Sequence, residues 1–227
     1  MRKSILCFLC LFVVSGLGAV SKKDLSKVAF LLEKVDNFYK RNPKLKGNFT
    51  LIQGGNDRRG YFLYQHPSRL KLFFGPEKAE DPERFSFIMA DKNNVYIYLP
   101  HRKVLVEQEV PEYFQQIGML GMGISRFFAN YQDVDVQEEE KNGEKLSIVS
   151  LSNPIKNIPY TQLTFTITEE GFISGMRGVT VKNNQPQAVS FLRYNLVKNV
   201  EIDEKEFQVK PQGDIQILRN VLIKTKR

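Results

Sequence analysis

Two periodicities divide the chain. Between about Lys23 and Arg41 apolar residues recur at helical spacing, with Leu25, Val28, Leu32, Val35 and Tyr39 on one stripe, Asp24 or Ser21 as the cap and Asn42-Pro43 as the stop. From Lys46 the period drops to two. GNFTLIQ, RGYFLYQ, RLKLFF, FSFIMA, VYIYLP and KVLVEQEV read as successive strands, joined by turns near Gly54, Pro67 and Asp91 and by a longer acidic link through Pro76 and Pro82. Alternation puts Phe62, Tyr64 and His66 on one side of one strand and Leu70, Leu72 and Phe74 on one side of the next. Arg69 and Lys71 point the other way.

Pro111 to Tyr131 breaks the strand pattern. Its GMLGMGISRFFANY is apolar and predicts helix, weakened by Gly118, Gly121 and Gly123 at about 1 kcal/mol each. Strands resume at Val134 to Glu139, turn at Asn142-Gly143, and continue as KLSIVSLS, TQLTFTIT, FISGMRGVTVK and AVSFLRYNLV. A short element at Phe207 to Pro211 precedes DIQILRNVLIKTKR, an added strand or a short helix closing the sheet.

This order predicts a mainly-β α+β fold: one strongly curved antiparallel sheet, an incomplete barrel, with helices covering its apolar concave face. A closed lipocalin-like barrel or a two-sheet sandwich leaves the apolar insertion between the strands unexplained. The oily rows need a cover, and what the cover leaves open decides the function.

The first residues change the compartment. Arg2 and Lys3 precede an uncharged run from Ser4 to Val20, followed by Lys22 and Lys23, which is the pattern of a cleaved secretory signal peptide over residues 1–21. The run is too short and too broken by Ser15, Gly16 and Gly18 for a membrane anchor. Both cysteines, Cys7 and Cys10, lie inside it and follow leucines, which is not the small residue of a lipid-attachment site, so the expected mature chain is thiol-free and unlipidated. Residues 22–227 then form a single domain. Its net charge falls from +8 to about +6 with the two lost cations, favouring anionic partners such as a membrane surface. The scatter of Lys and Arg along strands, and export, argue against nucleic acid.

Catalytic chemistry is poorly supplied. Only His66 and His101 offer imidazole bases, no serine stands in a G-x-S-x-G elbow, and neither histidine has a second histidine or a mature cysteine at metal-ligand spacing. No enzyme, metal or cofactor is expected. The acidic run Glu138 to Glu140 reads as a solvated hairpin tip, and Lys71, Arg102 and Lys103 as solubilising charge or a contact for an acidic partner.

The leader, the amphipathic helix, Gly60-x-Phe62-x-Tyr64-x-x-Pro67-x-Arg69-x-Lys71, Pro76, VYIYLP and the final Phe207-x-x-x-Pro211-x-Gly213 together resemble the LolA-like periplasmic lipoprotein carriers, over most of the mature chain. The resemblance implies a monomeric periplasmic carrier that takes a lipoprotein from an inner-membrane lipoprotein-releasing ABC transporter. It shields the acyl chains in an oily cavity and passes the cargo to an outer-membrane acceptor, where one exists. The cavity candidates are Phe62, Tyr64, Leu70, Leu72, Phe74, Phe87, Met119, Met122 and Phe128, the methionines suiting chains of varied shape. In the family an arginine commonly precedes the proline of this strand and latches a lid. Here the residue is His66, with one ring donor against five. His66 and Arg69 are therefore the latch candidates, Arg69 matching a mostly surface position. The same apolar faces would equally make an ordinary core. Three readings compete with a carrier: a periplasmic binding or sensor domain for another lipid or glycolipid, the lipidated outer-membrane acceptor, and a structural protein without a cavity.

Overall fold

The computed structural model describes residues 22–77, 84–91, 93–109, 128, 130–155, 158, 160–182, 185–209 and 214–221. The leader and most of the glycine-broken insertion, including Met119 and Met122, lie outside them. One long helix, α1 (Lys22–Arg41), opens the described chain and ends on a basic turn, Lys40 and Arg41, that complements its C-terminal dipole. Asn42 stops it by donating from both its backbone nitrogen and Nδ2 to the Phe38 carbonyl, at 3.0 and 2.9 Å. The buried stripe is Val28, Leu31, Val35, Phe38 and Tyr39, broader than the one read from spacing because Leu31 and Phe38 also turn inward.

Twelve strands follow: β1 (Lys44–Gln53), β2 (Asn56–Gln65), β3 (Arg69–Phe73), β4 (Phe87–Ala90), β5 (Asn94–Leu99), β6 (Val104–Glu109), β7 (Tyr131–Lys141), β8 (Glu144–Pro154), β9 (Gln162–Thr168), β10 (Ile173–Lys182), β11 (Gln185–Lys198) and β12 (Gln216–Arg219). They form one sheet in the order β12-β6-β5-β4-β3-β2-β1-β11-β10-β9-β8-β7. Two meanders are thus joined where β1 pairs with β11. The sheet is open, with β7 and β12 at its opposite ends, and the chain passes from beside one edge to the other between β6 and β7. Edge strand β7 carries exposed acidic residues and β12 is short, two devices that discourage pairing with another chain.

Of the C-terminal segment, for which the sequence allows either strand or helix, the described part contains a strand, Gln216–Arg219. It runs parallel to β6, Ile217 lying opposite Leu105, an exception to the antiparallel expectation. Asn220, in a left-handed conformation, closes it: its Oδ1 accepts from the Glu109 backbone at 2.9 Å and Gln108 Nε2 at 3.3 Å, and its own N–H donates to Glu107 O.

The inner face of the sheet packs on α1. Pairs Phe62↔Leu72 and Tyr64↔Leu70 share this face with Phe49, Leu151, Phe165, Ile167 and Phe191, in one core with Val35, Phe38 and Tyr39. Register shifts beside Asn48 and beside Gly175 increase the twist. At Gly60 the neighbouring strand approaches so closely that a Cβ would fall 1.8 Å from the Phe73 carbonyl oxygen, which only glycine permits.

Phe87 corrects the sequence expectation of a residue on the cavity side. It pairs with Phe73 and Tyr98, and the register puts all three on the outer face, where Lys71 Nζ lies 5.6 Å from its ring centre. A second apolar layer is built there from Tyr61, Leu63, Phe73, Phe85 and Met89. A short 3₁₀ helix, Glu204–Phe207, packs against this side through Lys71, which donates to Glu206 O at 2.8 Å. Ile88, one residue on, holds the inward position.

Candidate functional site

Helix α1 covers only part of the inner face. It meets the end of β2 that carries Tyr64 and the turn before β10 that carries Phe172, with Tyr39 edge-on to Tyr64 at 5.3 Å and Phe38 5.7 Å from Phe172. Towards the other strand ends the helix leaves a cavity of about 160 Å³. One side is Leu70, Leu72, Phe74 and Ile88 and the other Leu163, Met176 and Gly178; Leu51, its register partner Phe191, and Val189 form the floor between them. β3 and β4 on one side and β9 and β10 on the other, four to six places apart in the sheet, thus line one cavity, which is how the curvature becomes a container. Tyr160 closes one side. Its ring sits where a Gly178 Cβ would be, 2.6 Å away, and its carbonyl accepts the Tyr131 hydroxyl at 3.0 Å. Burial pushes Tyr131 up to about 12, so it remains a donor at neutral pH.

Of the sequence candidates, Leu70, Leu72 and Phe74 line this cavity, while Phe62 and Tyr64 share their face but lie fully within the helix-packed core. Phe128 is half-buried against the same core. Met119 and Met122 lie outside the described residues. Sequence reasoning missed the far side and the floor, although alternation in TQLTFTIT and AVSFLRYNLV carried the signal for Leu163, Val189 and Phe191.

The two latch candidates part company. His66 stays on the inner side, its Nδ1 3.3 Å from the Tyr64 hydroxyl and its backbone N–H on Pro43 O at 2.7 Å. Desolvation, then the neighbouring Tyr39, raises the Tyr64 pKa well above its ordinary value, so the phenol is neutral beside His66. Arg69 faces away: it pairs with Glu204 and lies 5.9 Å from the Phe207 ring centre. Lys71, for which the sequence allows solubilising charge or a contact for an acidic partner, is tied to Glu206 at 3.1 Å. The inner face does hold an arginine that sequence reasoning passed over. Arg193 is 5% exposed, opposite Phe49, with its guanidinium 4.6 Å from the Phe172 ring centre.

No protein-family model matches the sequence, and no curated protein matches it significantly. Solved structures do. An uncharacterized conserved protein from Thermus thermophilus superposes with a TM-score of 0.55 at 10% identity, over 85% of this chain and 99% of that one. MucB superposes at 0.50 with 12% identity, over 82% of this chain and 63% of MucB. A LolA superfamily protein from Nitrosomonas europaea matches at 0.40 with 10% identity, over 80% and 97%. The chain shares the fold of the Thermus thermophilus protein and of MucB. An open, curved sheet with a helix on its inner face is the architecture that the order of elements predicts, and at these identities the likeness shows the fold alone.

Proposed function

We infer that this chain is a periplasmic carrier that shields acyl chains of lipoproteins on the inner face of its sheet and moves them from the inner towards the outer membrane. The observation that carries the reading is the apolar cavity between two walls of one open sheet, beside a helix that covers only part of the available face. Each methylene buried there stabilises a complex by about 0.8 kcal/mol. A void of about 160 Å³ is close to one that holds benzene and below the roughly 300–1000 Å³ of ordinary ligand pockets. Loading an acyl chain therefore requires the walls to part, and a sheet with two free edges spreads at lower cost than a closed barrel. The leader motif supports export, and an inner-membrane ABC transporter and an outer-membrane acceptor are the partners this role requires. The role proposed is binding and transfer.

The likeness to MucB, a protein also solved in complex with MucA, favours a second reading as a periplasmic lipid-binding or sensor domain. Lipid extraction and native mass spectrometry of the protein purified from periplasm separate the two, with Leu70→Glu and the half-buried Val189→Glu beside it. The carrier reading expects bound lipoprotein or its acyl chains, lost at least tenfold in both variants. A protein that copurifies with no acylated cargo, or with the same cargo in a folded Val189→Glu, overturns it.

A further inference from the structure

Among the described residues Arg193 lacks the carboxylate partner that a buried cation needs. Its Nη2 donates to the Ile173 carbonyl and its charge lies between the rings of Phe172 and Phe62, at 4.6 and 5.8 Å. No carboxylate among the described residues pairs with it, and its Nε has no acceptor among them. Two rings and one carbonyl only partly replace the hydration that a guanidinium gives up on burial.

Arg193 does have an opening. Together with Phe172 it forms part of a groove of about 560 Å³ between the β9–β10 turn and β11, distinct in its lining from the acyl cavity. Thr168 and Ser174 contribute hydroxyls to this groove. Glu144 and Glu169, both exposed, stand at its rim, while the nearby Glu170 is neutralised by Lys198. A simple anion meets two carboxylates on the way in, and a simple cation meets a guanidinium at the bottom. A group carrying both charges satisfies both ends.

We propose that this groove binds a zwitterionic group, an oxyanion joined by a short spacer to a primary ammonium, with Arg193 taking the oxyanion and Glu144 and Glu169 the ammonium. The head group of an aminophospholipid and a free aminoalkyl phosphate share this chemistry. The site does not depend on the acyl cavity, so Val189→Glu leaves it intact.

The test follows the Arg193 Nε–H resonance in the purified protein during titration with O-phosphoethanolamine, dihexanoyl phosphatidylethanolamine and dihexanoyl phosphatidylglycerol. The expected result is a shift of that resonance with an ethanolamine-bearing probe. Isothermal titration with the same probes, which needs no arginine resonance, should show binding weakened at least tenfold in Arg193→Met and severalfold in the surface double variant Glu144→Gln/Glu169→Gln. A shift with O-phosphoethanolamine alone supports a free ligand, and a shift that requires the short-chain lipid supports a head group. Should Arg193→Met not fold, Arg193→Lys keeps the charge, loses the fork and is expected to bind more weakly. An unmoved Nε–H resonance with every probe overturns the proposal. So does equal binding of the glycerol head group with no effect of the glutamate variants.

Discussion

Phe62 and Gly60 show how much of the fold hangs on single side chains of β2. Phe62 is fully buried opposite Leu72 on the inner face, so Phe62→Ala is expected to cost about 3–5 kcal/mol, measured by denaturant unfolding. Glycine within a strand ordinarily costs about 0.5–1 kcal/mol relative to alanine. At Gly60 the sign should reverse, because the new methyl would overlap the Phe73 carbonyl. Gly60→Ala is expected to lower the unfolding midpoint; a raised midpoint would mean that β3 shifts freely and that the close approach is not required. Arg193 is the opposite case, a residue whose buried charge has no carboxylate partner among the described residues. If binding rather than packing explains it, Arg193→Met keeps or raises stability while losing the zwitterion.

Among the elements, β12 depends most on side-chain hydrogen bonds. It is four residues long, at the edge, and held at its end by Asn220. Loss of these two bonds in Asn220→Ala should weaken the strand by about 1–3 kcal/mol. Hydrogen exchange would read this as faster exchange at the Asn220 amide, which donates to Glu107, and at neighbouring β12 amides, with β1 and β11 unchanged. Exchange that stays slow would mean that backbone pairing with β6 is sufficient. The 3₁₀ helix Glu204–Phe207 is a similar attachment on the outer face. The Glu204 carboxyl is held below its usual range by hydrogen bonds from Gln65 and Arg69, so that attachment loosens as pH falls through the carboxylate range.

At the scale of the whole molecule, alkaline pH should open the sheet from its tyrosines. Burial pushes Tyr61, aided by Glu206 and Glu77, and Tyr131 up to about 12 from 10. Both phenols are neutral in the fold where the unfolded chain has already ionised. Their contribution is complete below pH 10 and is lost as pH rises towards 12. Thermal unfolding followed from about pH 9 to 12 should show a falling midpoint, with tyrosinate absorbance rising at the transition. Phenols that ionise near pH 10 in the folded protein would contradict the burial.

Periodicity alone determined most of the strands, the first helix and the in-and-out parity of β2 and β3, because each side chain's direction follows from its neighbour's within one strand. Leu70, Leu72 and Phe74 were legible for that reason. Only tertiary structure decided which distant strands oppose them across the cavity, since that depends on the summed twist and curvature of the sheet. The same limit explains Phe87 and Arg193. Alternation says that residues 87 and 88 differ in face and that 191 and 193 agree, but not which face meets α1; pairing Phe87 with Phe73 and Arg193 with Phe49 settled it. The parallel seating of β12 was beyond sequence as well, because a four-residue strand at an edge takes its direction from the partner it reaches.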